Sequence, residues 1–278
     1  MRLFMCALLA VLLLQFSARS EVRGEIPFHY RAGLIWLNID VAGKSEPLKF
    51  LLDSGAGVSA IDLQTAHSLG LKFGNQQTVQ GVNGQCLAYR VQNFVAVSGG
   101  IVLPKSLLAI DLRALSGCCD QHADGILGAD FFRGRIVQID FAEGRIRILE
   151  KCDPKVADCE VLPIRMCNDA FCVPVRVAGN PAQWMRLDTG CDTALEWVVS
   201  GTEKRRSRRT SVGLSGVSIR YINTSVQLGK QCFNTVTTSV HKEQIFSGEA
   251  GLLGNGLLSK FRLTIDQPRN RVIFENPM

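Results

Sequence analysis

The amino-acid sequence predicts an all-β fold built from a duplicated domain, and three observations predict it. Short runs rich in Val, Ile, Leu and Phe alternate with turns that carry Gly, Asn and Pro. No long amphipathic helical pattern occurs, which argues against a parallel α/β sheet. The chain also repeats itself. Gly125-Ile126-Leu127-Gly128 returns as Gly251-Leu252-Leu253-Gly254 at an offset of 126. The match continues without a gap through Ile139-Asp140 and Ile265-Asp266 to Arg145 and Arg271. Upstream, Leu52-Asp53-Ser54-Gly55 pairs with Leu187-Asp188-Thr189-Gly190 at an offset of 135. Between these anchors, Gly81-Val82-Asn83-Gly84 pairs with Gly213-Leu214-Ser215-Gly216 at an offset of 132. The order is kept and the offset shrinks by small loop deletions, as a duplication would leave it.

From the N-terminus, residues 1–20 read as a signal peptide: Arg2, an unbroken apolar run over 3–14, then Ala18-Arg19-Ser20 at a cleavable end. Twelve apolar residues are short for a membrane span, and no later segment reaches that length. Export is therefore expected, to the periplasm or outside the cell, with no stable membrane insertion. The first lobe is placed at residues 21–150. Its strands are expected over 34–41, 48–52, 89–97, 135–141 and 145–149. One helix is expected after the first Asp motif, capped by Asp62, running over 63–69 and ended by Gly70. Lys151-Cys152-Asp153-Pro154 breaks the strand pattern, so residues 151–160 are read as a linker and 161–278 as the second lobe. Each half is then about 120 residues, the size of one compact unit.

Composition narrows the function classes. The chain is 46% hydrophobic and 20% charged, too apolar for disorder. A net charge of +6, much of it in the run 204–209, does not argue for a nucleic-acid binder. Nine of the ten cysteines follow Ser20, where the expected leader ends, so an odd thiol must stay free or pair with another molecule. The spacing of Cys152, Cys159, Cys167 and Cys172 lacks the paired C-x2-C knuckles of a strong zinc site. A disulfide Cys152–Cys159 closing the linker is expected instead, with Cys191 as the buried free thiol. There is no Gly-x-Ser-x-Gly for a serine hydrolase and no closely spaced His pair for a metal.

One Asp-[Ser/Thr]-Gly is an ordinary turn. Here two copies follow apolar strands at the same place in a repeated domain, so a pseudo-two-fold axis would set Asp53 and Asp188 face to face. Carboxyls a few ångströms apart cannot both ionise cheaply and share one proton. The ionised member can then take a proton from water while the other donates one to a carbonyl oxygen, with no metal and no covalent intermediate. Ser54 and Thr189 would bond across the two loops, and Gly55 and Gly190 would permit the close approach.

This arrangement resembles the retropepsin–pepsin family of aspartic proteases over nearly all of residues 26–276. The family's pattern is an apolar strand, Asp-[Ser/Thr]-Gly, a glycine-tipped flap, and a later apolar-apolar-Gly turn bracing the Asp loop; both halves match it. The resemblance implies two pseudo-symmetric β-barrel lobes with an active site between them, and an aspartic endopeptidase with Asp53 and Asp188 as catalytic dyad. It further implies that Ser54, Gly55, Thr189 and Gly190 support the loops and that no cofactor is required. Substrate, a peptide or protein, would meet Gly81, Val82 and Gly84 of one flap and Gly213, Leu214 and Gly216 of the other. Two candidate flaps, and an Asp192 like the one that contacts substrate in retroviral proteases, suggest a fused version of that homodimer, working as a monomer. Cys191 departs from the usual Ala, Ser or Thr, and Gly57 stands where Asp192 has its mate. The other reading is a catalytically inactive protein that keeps this fold to bind peptides; its simplest sign, a missing Asp in one half, is not present.

Overall fold

A computed structural model describes residues 22–81, 84–118, 122–153, 159–199, 209–210 and 219–276. Within these the chain is almost entirely β. The second half forms a closed barrel of six strands. Ala170–Val177, Gln183–Asp188, Gly251–Gly254, Leu195–Val198, Gln231–His241 and Ile219–Leu228 pair in that order. The circle closes where Arg176 and Val177 pair with Gln227 and Val226. The first half lays out the same series as Leu34–Val41, Leu48–Leu52, Gly125–Leu127, Ala60–Asp62, Leu107–Ile110 and Gly84–Val91. There the first and last strands do not pair; Ala96–Ser98 takes the free edge of Leu34–Val41 instead.

Alternation explains how these strands bury two faces. Ile35, Leu37 and Ile39 enter the main core with Leu48, Phe50 and Leu52, whereas Leu34, Trp36 and Leu51 face a small cluster with Ala123. The expected helix forms at Leu63–Ser68, where Asp62 accepts from the backbone N–H groups of Gln64 and Thr65 and Gly70 leaves in the left-handed region. The single strand expected over 89–97 is two strands, Gly84–Val91 and Ala96–Ser98. Asn93, at φ 61°, turns the chain between them, a conformation that Asn tolerates better than most residues.

The halves join through an antiparallel sheet ordered Cys159–Pro163, Arg271–Glu275, Arg262–Asp266, Ile136–Asp140, Arg145–Leu149 and Val22–Arg31. At its centre Ile136 pairs with Asp266, Gln138 with Thr264 and Asp140 with Arg262. Residues 138 and 264 are repeat mates, so the pseudo-two-fold axis passes through that pair, where Gln138 Nε2 donates to Thr264 Oγ1 at 3.3 Å. Cys152 is a buried free thiol in a cluster with Ile136, Leu149 and Ile273, so the expected Cys152–Cys159 bridge does not form. Apolar burial raises the thiol pKa to about 11, because the thiolate would be poorly solvated there. Residues 1–21 and the basic run at 204–208 lie outside the described residues. No helix among the described residues is long and apolar enough to cross a membrane.

Candidate active site

Each Asp loop leaves the end of an apolar strand and is clamped by the later apolar-apolar-Gly turn of its own half. Leu52 pairs in parallel with Leu127, and Asp53 N–H donates to the Leu127 carbonyl at 2.9 Å. In the second half Asp188 pairs with Gly254, and Gly254 N–H donates to the Ala194 carbonyl at 3.2 Å. Such bonds fix where each strand ends and so where its carboxylate points.

Across the axis the two loops grip each other reciprocally. Ser54 N–H donates to Thr189 Oγ1 at 2.9 Å, and Thr189 N–H donates to Ser54 Oγ at 3.2 Å. The hydroxyls pass their own protons on, Ser54 Oγ to the Leu187 carbonyl at 2.7 Å and Thr189 Oγ1 to the Leu52 carbonyl at 3.0 Å. Both side chains are fully buried, so all four polar partners are needed to offset desolvation.

That grip brings Asp53 and Asp188 together, their carboxyls hydrogen-bonded to one another. The approach requires glycine in both loops. A Cβ on Gly55 would lie 2.4 Å from Asp188 Cγ, and one on Gly190 would lie 2.4 Å from Asp53 Cγ. The environments of the two carboxyls differ. Asp53 Oδ1 accepts from the N–H groups of both Gly55 and Ala56, each at 2.9 Å. Asp188 Oδ1 accepts from Gly190 N–H at 2.9 Å, while Cys191 N–H reaches the Asp188 carbonyl at 3.4 Å. Burial raises the pKa of both. Asp188 lies well above the usual carboxylate range because the charge of Asp53 adds to its desolvation. For Asp53, burial is countered by the bond from Asp188 and by the two N–H donors.

Gly81 and Gly84 face each other at the end of the hairpin Phe73–Gly81/Gly84–Val91. Val82 lies outside the described residues, as do Gly213, Leu214 and Gly216. The second hairpin is seen in its stem, where Arg209 and Thr210 pair with Arg220 and Ile219. Asp192 is exposed at the second loop and packs on Gly33, whose added Cβ would meet the Asp192 Cβ at 2.8 Å. Gly57, its mate in the first half, packs in the same way on Asp169, at 2.8 Å. Each loop therefore has one carboxylate at this place, but for the first loop it comes from a hairpin of the other half. Cys191 is a free thiol whose Sγ lies 3.1 Å from Thr193 Oγ1. Burial and the nearby Asp188 charge hold it protonated. From Thr193 the network continues to Glu196 and His241.

Sequence reasoning missed several of the site's supports. Asn255 is buried and donates from Nδ2 to the carbonyls of Gly33, at 2.8 Å, and Thr189, at 2.7 Å. Arg186, two residues before Asp188, is buried against Glu249 and reaches the first loop. The one available signal was a charge inside the apolar strand Met185-Arg186-Leu187. Among the described residues, no three His, Cys, Asp or Glu side chains converge as a metal site would require.

An all-β fold with two Asp-[Ser/Thr]-Gly loops locked together about a pseudo-two-fold axis defines the aspartic protease class. The comparisons agree. Residues 37–131 match the aspartyl protease family model. A segment of 94 residues is 31% identical to the retrovirus-related Pol polyprotein from transposon 412 of Drosophila melanogaster, covering 34% of this chain and 7% of that protein. In this part the chain is similar to retropepsin-like aspartic proteases.

Proposed function

We propose that the protein is an aspartic endopeptidase that hydrolyses peptide bonds by activating water between Asp53 and Asp188. The observation that carries this reading is the pair of carboxyls, one from each half, Asp188 buried and Asp53 half-buried, hydrogen-bonded together beside the reciprocal Ser54–Thr189 grip. In the singly protonated pair, the carboxylate removes a proton from a bound water as its oxygen attacks the scissile carbon. The carboxylic acid gives its proton to the carbonyl oxygen, forming a neutral tetrahedral diol. Collapse returns a proton to the departing amine and restores the pair. Low local dielectric strengthens each of these proton transfers.

The substrate is a peptide or protein segment held extended, adding a strand against the two hairpin flaps. Ile126 is partly exposed on the turn beneath the first loop, and it supports a preference for bulky hydrophobic residues at the scissile bond. Leu252, its mate, is only 4% exposed and offers little surface to a ligand. In this reading residues 21–150 and 161–278 are the two lobes of a monomer, exported after removal of 1–20. A digest of a peptide library, analysed by mass spectrometry, tests the specificity. Cuts between hydrophobic residues are expected; cuts confined to bonds flanked by charged residues on both sides would contradict it.

A further inference from the structure

Arg186 lies on the strand Gln183–Asp188 and is 2% exposed. Its repeat mate, Leu51, is an ordinary core residue, so the duplicated fold does not itself call for a charge at this point. The guanidinium grips Glu249 with two bonds, from Nε at 2.7 Å and Nη2 at 2.5 Å. Its remaining arm, Nη1, crosses to the first loop and donates to the carbonyl of Gly55 at 2.6 Å. That carbonyl belongs to the same peptide unit as the Ala56 N–H, which donates to Asp53 Oδ1. A single peptide thus connects the guanidinium to one carboxylate of the dyad. A bond accepted at the oxygen of a peptide polarises it and strengthens the bond given by its N–H. Both loops share a backbone bond, Ala56 N–H to the Asp53 carbonyl at 3.1 Å and Cys191 N–H to the Asp188 carbonyl at 3.4 Å, but only Ala56 N–H also donates to its carboxylate.

We infer that Arg186 is a positioning residue that breaks the symmetry of the dyad, holding Asp53 as the ionised, water-activating member and Asp188 as the protonated one. The inference rests on the catalytic reading of these two residues and assigns their roles. The groups around the guanidinium agree with it. Glu249 neutralises most of its charge, and Asn168 Nδ2 donates to Glu249 Oε1 at 2.9 Å. The Phe246 ring covers the guanidinium, 3.5 Å from Cζ. The free thiol of Cys172, hydrogen-bonded to that of Cys167, lies in the field of Glu249 and Arg186 and is held neutral by burial. With its charge largely paired, Arg186 acts on Asp53 mainly through the hydrogen-bonded peptide. The asymmetry of the two carboxyls follows the same direction.

The test is a carbon-13 carboxyl NMR titration of the intact protein, with Asp53→Asn and Asp188→Asn used to assign the two signals. The carboxyl that ionises first is expected to be Asp53. In Arg186→Met/Glu249→Gln, which removes the pair together, that first ionisation should move up by about 0.5–1 pH unit, and the acidic limb of kcat/KM should follow. In Glu249→Gln alone the arginine keeps its charge unneutralised, so the same ionisation should move down. Opposite shifts from the two variants are not what a merely structural role would give. First ionisation at Asp188, or a titration unmoved in whichever variant folds, overturns the assignment. Because the titration needs no turnover, a wild type that cleaves nothing would refute the protease reading while the carboxyl signals still decide the role of Arg186.

Discussion

Ala56 and Cys191 directly follow the two Asp-[Ser/Thr]-Gly motifs, and neither brings a hydroxyl to an outer carboxyl oxygen. Ala56 supplies only its N–H to Asp53, and the Cys191 thiol turns to Thr193. With fewer donors on the anion and both carboxyls desolvated, the pair should ionise at higher pH than one with hydroxyls in place. Activity is therefore expected from moderately acidic to near-neutral pH, and Ala56→Ser should move the acidic limb of kcat/KM downward. A limb that stays where it was, or maximal activity in strong acid, would remove this argument. The same burial has a consequence for stability. Asp188 holds its proton to a higher pH in the folded chain than in the unfolded one, so its contribution is fully present below the unfolded value of 3.8 and is lost as pH rises through the folded pKa. Asp188→Asn cannot lose it that way. The variant should thus gain thermal stability over wild type as pH rises from 4 to 7, a trend that melting curves across that range would reveal. Residues such as Asp53, Ser54, Asp188 and Thr189 were legible in the sequence because duplication displays them twice. Arg186, Glu249 and Asn255 occur once and act across long stretches of chain, so no local pattern announced them.

At the scale of elements, short-range chemistry made the first-half strands and the helix readable. Leu34–Val41, Leu48–Leu52 and Arg145–Leu149 follow from alternation and their flanking turns. Asp62 does more than cap the helix Leu63–Ser68. It is almost fully buried, and its other oxygen accepts from Leu112 N–H at 3.0 Å, tying the helix to the strand Leu107–Ile110. Asp62→Ala should therefore cost more than the ~1 kcal/mol of an ordinary cap, reaching about 2–3 kcal/mol as the Leu112 N–H is left buried and unpaired. Urea denaturation would measure it, and a loss under about 1 kcal/mol would mean that Leu112 finds another acceptor. The strand expected across 89–97 was not readable because its break rests on one backbone angle at Asn93. The free Cys152 was likewise hidden, since spacing along the chain says nothing of the apolar cluster that receives the side chain.

For the whole molecule, the repeat and the pairing of Gln138 with Thr264 describe one axis, seen first in sequence and then in space. Closure was not legible: the second half forms a complete barrel while the first leaves an edge for Ala96–Ser98. The central claim is that the two halves contribute one carboxyl each to a single proton-sharing pair. It is tested most directly by comparing peptide cleavage by wild type, Asp53→Asn and Asp188→Asn, each verified as folded by circular dichroism. Losing the general acid or base should lower kcat/KM by about 10²–10⁴-fold or more, and equally severely from either side. Near-normal turnover in either single variant would contradict the account, because a carboxyl that can be lost without effect is not half of a catalytic pair.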